Sequence, residues 1–419
     1  MYGFGQPMNF QPKFDSGVPV PELLTPEEQD RRSRRILFRL SLVGFVTALM
    51  ARAVDPIVPP IALELGVDPK SVALLSTAFA LPFALVQPVL GPVADMVGKI
   101  RVMLVCLAVL LGATLMSAFA TDYTVLLIAR IVAGIASGGI FPVDIAVIGD
   151  LIPMKERQIA IGRWLTAVIT GNLLGATLAG IIGDLAGWRT VFFVFSAGGA
   201  FALITAVVTL RAAARDHVTR FDIRGIPGRY AAVLRNPRAK VCFSAVFAEG
   251  LVIFGLFPFV ALLLLAGGET RASIAGIVLA GFSIGGILYA LTVRWLVERW
   301  RGDQLMIGGG VIAAIALGLA AFELAWPVQL FAFTLLGFGF YALHGSIQVQ
   351  TTELASTARG AAVSMHSFSF FVGHASGPVL YGASFGLIGA PATIAAAGVL
   401  VLLIGLICAR LLRERTAAE

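Results

Sequence analysis

Predominantly apolar runs of roughly 20 residues, the length that crosses a bilayer core, recur about twelve times along this 419-residue chain. They fall near 36–65, 71–94, 102–120, 124–149, 160–185, 190–210, 241–267, 272–297, 305–324, 327–352, 361–386 and 391–412. Between them most charged residues gather in short islands. Charged residues make up 13% of the chain and hydrophobic ones 58%. A soluble domain of this size needs about a quarter of its residues charged to cover its surface. The spacing therefore predicts an all-α polytopic membrane protein of twelve transmembrane helices, with no room for a soluble domain.

The cations set the orientation. Arg31, Arg32, Arg34 and Arg35 precede the first run, and Lys99, Arg101, Lys155, Arg157 and Arg163 fall in alternate loops. More crowd the stretch from Arg211 to Lys240, and Arg299, Arg301, Arg359, Arg410, Arg413 and Arg415 complete the series. The opposite loops hold Lys70, Arg189 and Arg271. Positive charge marks the cytoplasmic side, so both chain ends and the connector are expected there. The net charge of +7 reads as topology and as attraction to anionic membrane lipids. Nucleic acid is not an expected partner, because the cations are spread over many loops. The first 30 residues lack the apolar core of a signal peptide, and Thr25-Pro26-Glu27-Glu28 reads as a capped helix start. A short interfacial helix is expected around 225–240. Cys106, Cys242 and Cys408 lie inside runs and are expected as buried thiols.

An internal repeat divides the chain. Gly171-Asn-Leu-Leu-Gly175-Ala176-Thr-Leu-Ala-Gly180 is echoed by Gly373-His-Ala-Ser-Gly377-Pro378-Val-Leu-Tyr-Gly382. The preceding turns, Asp150 to Arg157 and Glu353 to Arg359, match as well. Two pseudo-symmetric six-helix bundles follow, related by an axis along the membrane normal. The boundaries are a tail at 1–35, a bundle at 36–212, a connector at 213–240, a bundle at 241–412 and a tail at 413–419. The Gly-x-x-x-Gly spacings allow close helix approach in any polytopic protein, and their pairing suggests helices that move against each other.

Residues 91–101, GPVADMVGKIR, sit between two runs and resemble the loop signature of the major facilitator superfamily. Arg130 in Ala129-Arg130-Ile-Val-Ala-Gly134 resembles that family's fourth-span arginine motif, and Gly187-Trp188-Arg189 its entry into the sixth span. Residues 171–180 resemble the glycine signature of its antiporter branch, which carries a proline where Ala176 stands here; the proline appears in the second copy, at Pro378. The resemblance covers about 38–412 and is nearest to twelve-span drug/proton antiporters and arabinose-efflux-like permeases. It implies the major facilitator fold and a gate on the cytoplasmic side formed by Gly91, Asp95, Gly98, Arg101 and Asp150. There Asp95 would meet a helix end and Arg101 a carboxylate such as Asp150, while that face is closed. Asp144, near the cytoplasmic end of the fourth span, is expected to be part of that gate with Asp150.

Ionisable groups inside a bilayer cost several kcal/mol unless paired or hydrated, so they carry the mechanistic reading. Arg52 and Asp55 share one face of the first span. Pro56, Pro59 and Pro60 would release the carbonyls of Arg52, Asp55 and Pro56, implying a broken helix beside a lined cavity. Arg130 lies about 10 Å from its span's outer end, at a depth comparable to Asp55. Asp55 is thus expected to pair with Arg130 or with Arg52, either as a fixed structural pair or as a proton switch. Glu249, His344 and His374 are the second-half candidates, His374 occupying the repeat position of Asn172. A histidine in a span ordinarily packs through a hydrogen bond, the bland reading for His344 and His366, yet it also switches most easily near neutral pH. Substrate or proton contact is assigned to Arg52, Asp55, Arg130, Glu249, His374, His344 and Asn172.

The expected function is secondary transport by alternating access: proton-coupled efflux of small apolar or amphipathic molecules, from a monomer in the cytoplasmic (inner) membrane. Phenylalanines at 254, 257, 338, 340, 370 and 371 suggest that substrate class. Uptake of a small organic anion, with Arg52 and Arg130 on its carboxylate, is the alternative, and a transport-dead sensor a third. No phosphate-binding loop, nucleophile or metal constellation points to a primary pump or an enzyme. No cofactor is expected beyond the proton gradient.

Overall fold

A computed structural model describes residues 26–152, 154–210, 226–322, 324–355 and 358–412; for a few helical positions, Asp95 and Arg359 among them, only the backbone is described. The first helix, α1, spans Pro26–Ala51; Thr25 of the expected capped start lies outside the described residues. The helix then breaks. Pro56 has no amide proton and its ring excludes the carbonyl of residue 52, so the chain unwinds before it and continues as a tight 3-10 turn, Asp55–Ile57. Helix α2, Val58–Leu65, completes the span, and Gly66 closes it at φ +63°, in the left-handed region that favours glycine.

Helices α3 (Pro69–Val97), α4 (Lys99–Ala118), α5 (Tyr123–Leu151), α6 (Met154–Ala186) and α7 (Trp188–Leu210) follow. Asp68 caps α3 and Asp122 caps α5, each carboxylate accepting first-turn amides at 2.8–3.1 Å. A short helix, α8 (Ile226–Leu234), lies where an interfacial helix is expected. Residues 211–225 of the connector, and both chain ends at 1–25 and 413–419, lie outside the described residues.

The second half opens with α9, Pro237–Glu249, which passes at Gly250–Phe254 into a π-helical turn, then a 3-10 turn at Phe257–Phe259 and α10, Val260–Ala266. It continues as α11 (Ala272–Arg299), α12 (Gly302–Ala320), α13 (Trp326–Thr352), α14 (Arg359–Leu387) and α15 (Ala390–Leu411). Among the described residues eleven segments are long and apolar enough to span a membrane. Helix α14 has 29 residues and so the length of a twelfth, but it is less apolar, carrying His366, Ser367, Ser369, His374 and Ser376.

Two apolar cores form, one almost wholly from residues 36–210 and one from 233–412. In lipid, helices associate through close packing, not through expulsion of water, so small residues at crossings matter most. The repeat shows this directly. A Cβ added at Gly171 or Gly175 would strike the carbonyls of Phe45 and Leu49, and one at Gly373 or Gly377 those of Phe247 and Leu251. All four partners keep the same offset of 202 residues. The outward-facing Leu291, Ile204 and Val208 suit a lipid surround.

Successive spans alternate in direction, so the start of α1 and the end of α15 share one face, here the terminal face. The halves meet where α6 packs on α11 and α3 on α14. Gly180 abuts the Ala272 carbonyl, Gly276 abuts that of Ala176, and Thr77 Oγ1 donates to the Ala375 carbonyl at 2.7 Å. Asp184, near the end of α6, accepts the amides of Ala272 and Ser273 with its two oxygens, both at 2.8 Å. It therefore caps a helix of the other bundle. The bonds from Thr77 and Asp184 that join the halves all lie in the part remote from the terminal face. That remote face is closed.

Candidate functional site

Between the halves lies a cavity of about 470 Å³, walled by both bundles. Its first-half wall is the broken end of α1. Arg52 Nη1 lies 3.3 Å from Asp55 Oδ2, and Ser76 Oγ donates to Asp55 Oδ1 at 2.8 Å. Asp55 is only 2% exposed, so its charge is met by one cation and one hydroxyl. The Arg52 guanidinium also lies 4.9 Å from the ring centroids of both Phe254 and Phe257, across the bundle interface.

Of the two pairs expected for Asp55, the close one is with Arg52. Arg130 is also buried, but its Nη1 and Nη2 donate to the carbonyls of Met50 and Ala51, at 3.3 Å each, with Phe79 beneath it at 4.4 Å. The reason is the broken helix. Carbonyls released ahead of Pro56 need a donor, and a guanidinium offers several in a planar fork. The carbonyls that Arg130 meets are those of Met50 and Ala51. Arg130 thus clamps the break and does not line the cavity.

The second-half wall holds a chain of hydrogen-bonding groups. Glu249 is fully buried; its Oε2 lies 2.8 Å from His344 Nδ1, and its Oε1 has no hydrogen-bond partner. His344 Nε2 lies 3.2 Å from His366 Nε2, and His366 Nδ1 lies 3.1 Å from Thr351 Oγ1. Thr351 in turn donates to the Ile347 carbonyl at 3.0 Å. His344 and His366 are each hydrogen-bonded, as the bland reading has it, and each is a partner of the other. Glu249 sits at the junction between α9 and the π-helical turn, a backbone form associated with functional positions. His374 and Asn172, the repeat counterparts, both line the cavity, and His374 Nδ1 has no hydrogen-bond partner. Aromatic rings fill the remainder: Phe83 and Phe371 meet across the halves at 4.4 Å, and Phe254 packs at about 5 Å against Phe282, Phe340 and Phe370.

The gate differs from expectation. Asp150 pairs with Lys99, Nζ to Oδ2 at 2.6 Å, while Arg101 is exposed. Residues 99 and 101 are two apart on α4, hence about 200° around the helix, and only one can face α5. The pair joins helices of one bundle, so it does not by itself hold the two halves together. Gly98 links α3 and α4 at φ +110°, which a side chain would strain. Gly91 lies within α3; its surroundings and the Asp95 side chain fall outside the described residues. Asp144 is fully buried in the first bundle, accepting from Trp164 Nε1 at 3.1 Å. Sequence inspection missed Thr351 and Ser76, two hydroxyls among many, and Asp184, whose partners lie 88 residues away.

Several solved structures share this architecture. A bacterial homologue of the human lysosomal transporter Spinster, inward-facing and unoccupied, superposes with a TM-score of 0.72 at 17% identity, over 90% of this chain and 97% of that one. The peptide transporter POT gives 0.73 at 14%, over 91% and 97%. These likenesses concern the fold. Among curated sequences, "Multidrug resistance protein 1" of Bacillus subtilis is 25% identical over 346 residues, 81% of this chain and 87% of that protein. "Quinolone resistance protein NorA" of Staphylococcus aureus is 24% identical over 354 residues, 83% and 89% respectively. Residues 40–358 match the sequence profile of the Major Facilitator Superfamily. With that match, a helical fold in two halves and a cavity between them, the chain is a multi-pass membrane transporter of small molecules and belongs to the Major Facilitator Superfamily.

Proposed function

We propose that this transporter exports small apolar or amphipathic molecules across the bacterial cytoplasmic membrane in exchange for protons, acting as a monomer with no bound cofactor. The observation that carries the reading is the cavity itself: an aromatic-lined space between the halves, with a wholly buried glutamate one hydrogen bond behind its wall. The rings suit an apolar body, and the cation–carboxylate pair in the cavity wall, Arg52 with Asp55, suits a polar tip. The names of the multidrug and quinolone resistance relatives support export and this substrate class. By the distribution of lysine and arginine, the terminal face is cytoplasmic and the closed remote face external.

Uptake of an organic anion draws less support from the geometry. Arg130 is engaged by backbone carbonyls, and Arg52 by Asp55 and two rings. Neither stands open as a carboxylate fork.

Everted vesicles containing the protein test the proposal. Acidifying their interior should drive accumulation of a fluorescent lipophilic probe, and Glu249→Gln should abolish it. Accumulation on the opposite gradient would favour uptake. Unchanged proton-driven transport in both Asp55→Asn and Glu249→Gln would show that neither acid carries the proton.

A further inference from the structure

The four-membered chain Glu249–His344–His366–Thr351 has a property its members lack singly: its proton count fixes the direction of every hydrogen bond. Thr351 Oγ1 lies within reach of both the Ile347 carbonyl and His366 Nδ1. A carbonyl only accepts. When the hydroxyl proton turns to Ile347, the oxygen must accept from His366 Nδ1–H. A neutral His366 then presents a bare Nε2, so His344 donates from Nε2, and a neutral His344 presents a bare Nδ1. Glu249 Oε2 must then be the donor, a protonated acid. When Thr351 instead donates to His366 Nδ1, every bond reverses. His366 donates from Nε2, His344 donates from Nδ1, and Glu249 is an ionised carboxylate.

We infer that these residues form a relay that loads Glu249 with one proton from the cavity by reversing its hydrogen bonds, with His366 and Thr351 as its positioning end. The inference rests on the proton-coupled reading above and specifies its route. The balance is closed. A hydronium ion in the cavity breaks one O–H bond, leaving water, and its proton forms an N–H bond at His366 Nδ1 as the Thr351 hydroxyl swings to Ile347. The N–H bond at His366 Nε2 breaks and one forms at His344 Nε2. The N–H bond at His344 Nδ1 breaks and an O–H bond forms at Glu249 Oε2. Both histidines end as they began, neutral but in the opposite tautomer, and only the glutamate changes charge.

The placement supports the direction of flow. His344 and His366 line the cavity, whereas Glu249 does not and is fully buried. Phe340 stacks on His344 at 4.7 Å and Phe370 lies against it at 5.1 Å, which hold the ring in register. The other ionisable neighbours are few. They are His374 on α14, Arg52 and Asp55 on the facing wall, Tyr341 on α13, Tyr289 on α11, the Cys408 thiol of α15 within electrostatic reach of Glu249, and Cys242 of α9 beside Thr351. Of these, Arg52 and Asp55 pair with each other.

The chain has four histidines, so ¹⁵N-histidine labelling of the intact protein in lipid nanodiscs resolves the relay. As pH falls, His344 should pass from Nδ1–H to Nε2–H and His366 from Nε2–H to Nδ1–H, with one shared midpoint. At that midpoint an infrared carboxylic-acid band should appear that Glu249→Gln removes. Thr351→Val should abolish the joint exchange, and Thr351→Ser should restore it, which a purely structural role for the hydroxyl would not predict. A carboxylic-acid band that appears while the tautomers stay fixed, or while either ring becomes imidazolium, would overturn the relay and leave proton coupling at Glu249 intact. Absence of the band across the range in which transport responds would overturn both.

Discussion

Asp184 gives the sharpest quantitative handle on how this transporter is held closed. Its carboxylate caps the first turn of α11 from the other bundle, one oxygen on the Ala272 amide and one on Ser273, both at 2.8 Å. Those amides have no intrahelical partner, and they sit at the positive end of the helix dipole. A cap of this kind is worth about 0.5–2 kcal/mol. Since Asp184 is exposed, water replaces part of what is lost on opening, and a net figure of about 1–1.5 kcal/mol follows. Asp184→Ala should therefore shift the closed-to-open equilibrium of the remote face by roughly 5- to 15-fold toward open. Asp184→Asn keeps one acceptor oxygen and should fall between.

Spin labels at Leu63 and Leu387, exposed positions near the remote ends of α2 and α14, would report the population directly by pulsed dipolar distance measurement. The labelled protein first needs its three buried cysteines replaced. The expected result is growth of the longer-distance population in the order wild type, Asp184→Asn, Asp184→Ala. A distribution that stays within twofold of wild type for Asp184→Ala would mean that the packing at Gly180 and Gly276 and the Thr77 bond hold the face shut without it. The cap would then be incidental.

Arg52→Met should destabilise the fold by about 3–5 kcal/mol if Asp55 stays ionised, because a buried charge is left with one hydroxyl; thermal unfolding in lipid measures it, and adding Asp55→Asn should recover most of the loss. Gly134→Leu should lower the unfolding temperature by an overpacking penalty of about 1–3 kcal/mol, since any Cβ there strikes the Phe79 carbonyl, while Gly112→Leu, which meets nothing within 4 Å, should be neutral. Outside the spans, the Arg271 guanidinium holds the Glu269 carboxyl down from its usual 4.5 to about 2. A lowered acid contributes fully above about pH 4.5 and loses that contribution as pH falls toward 2. Glu269→Gln should accordingly leave the pH profile of transport unchanged between about pH 5.5 and 8.

What the sequence reveals follows from how far each interaction reaches along it. The spans are legible because each apolar run must satisfy its own backbone, so its limits are written locally. The break in the first span is legible for the same reason, through Pro56, and so is the Arg52–Asp55 pair, three residues apart on one turn. The partner of Arg130 is not, because it depends on how α5 is rotated against α1. Lys99 and Arg101 stand two apart, and only the azimuth of α4 decides which meets Asp150. Glu249 and His344 are 95 residues apart, and Asp184 reaches its amides 88 residues on. Nothing in the intervening residues encodes those distances. The repeat supplies the only long-range signal, and it correctly pairs Asn172 with His374 on opposing walls.

The repeat also bears on why the charges are divided unequally between the halves. The 202-residue offset that relates Gly171 to Gly373 carries Arg52 onto Phe254 and Asp55 onto Phe257. Those are the two rings against which the Arg52 guanidinium lies. In a two-fold arrangement, residues near the axis face their own counterparts, as at any isologous interface. Strict symmetry would therefore set arginine against arginine at van der Waals range, with each buried and repelling the other. Replacing one copy by phenylalanine turns that repulsion into a cation–π contact and leaves the pair at Asp55 undisturbed. The same offset carries Thr47, fully buried and bonded to its own helix at the Val43 carbonyl, onto Glu249. The acid that joins the histidine chain thus occurs in one half only, at a position whose counterpart is closed on itself. Divergence at a few axis-near positions, on a scaffold whose glycine contacts stay paired, is sufficient to give each wall of the cavity its own chemistry.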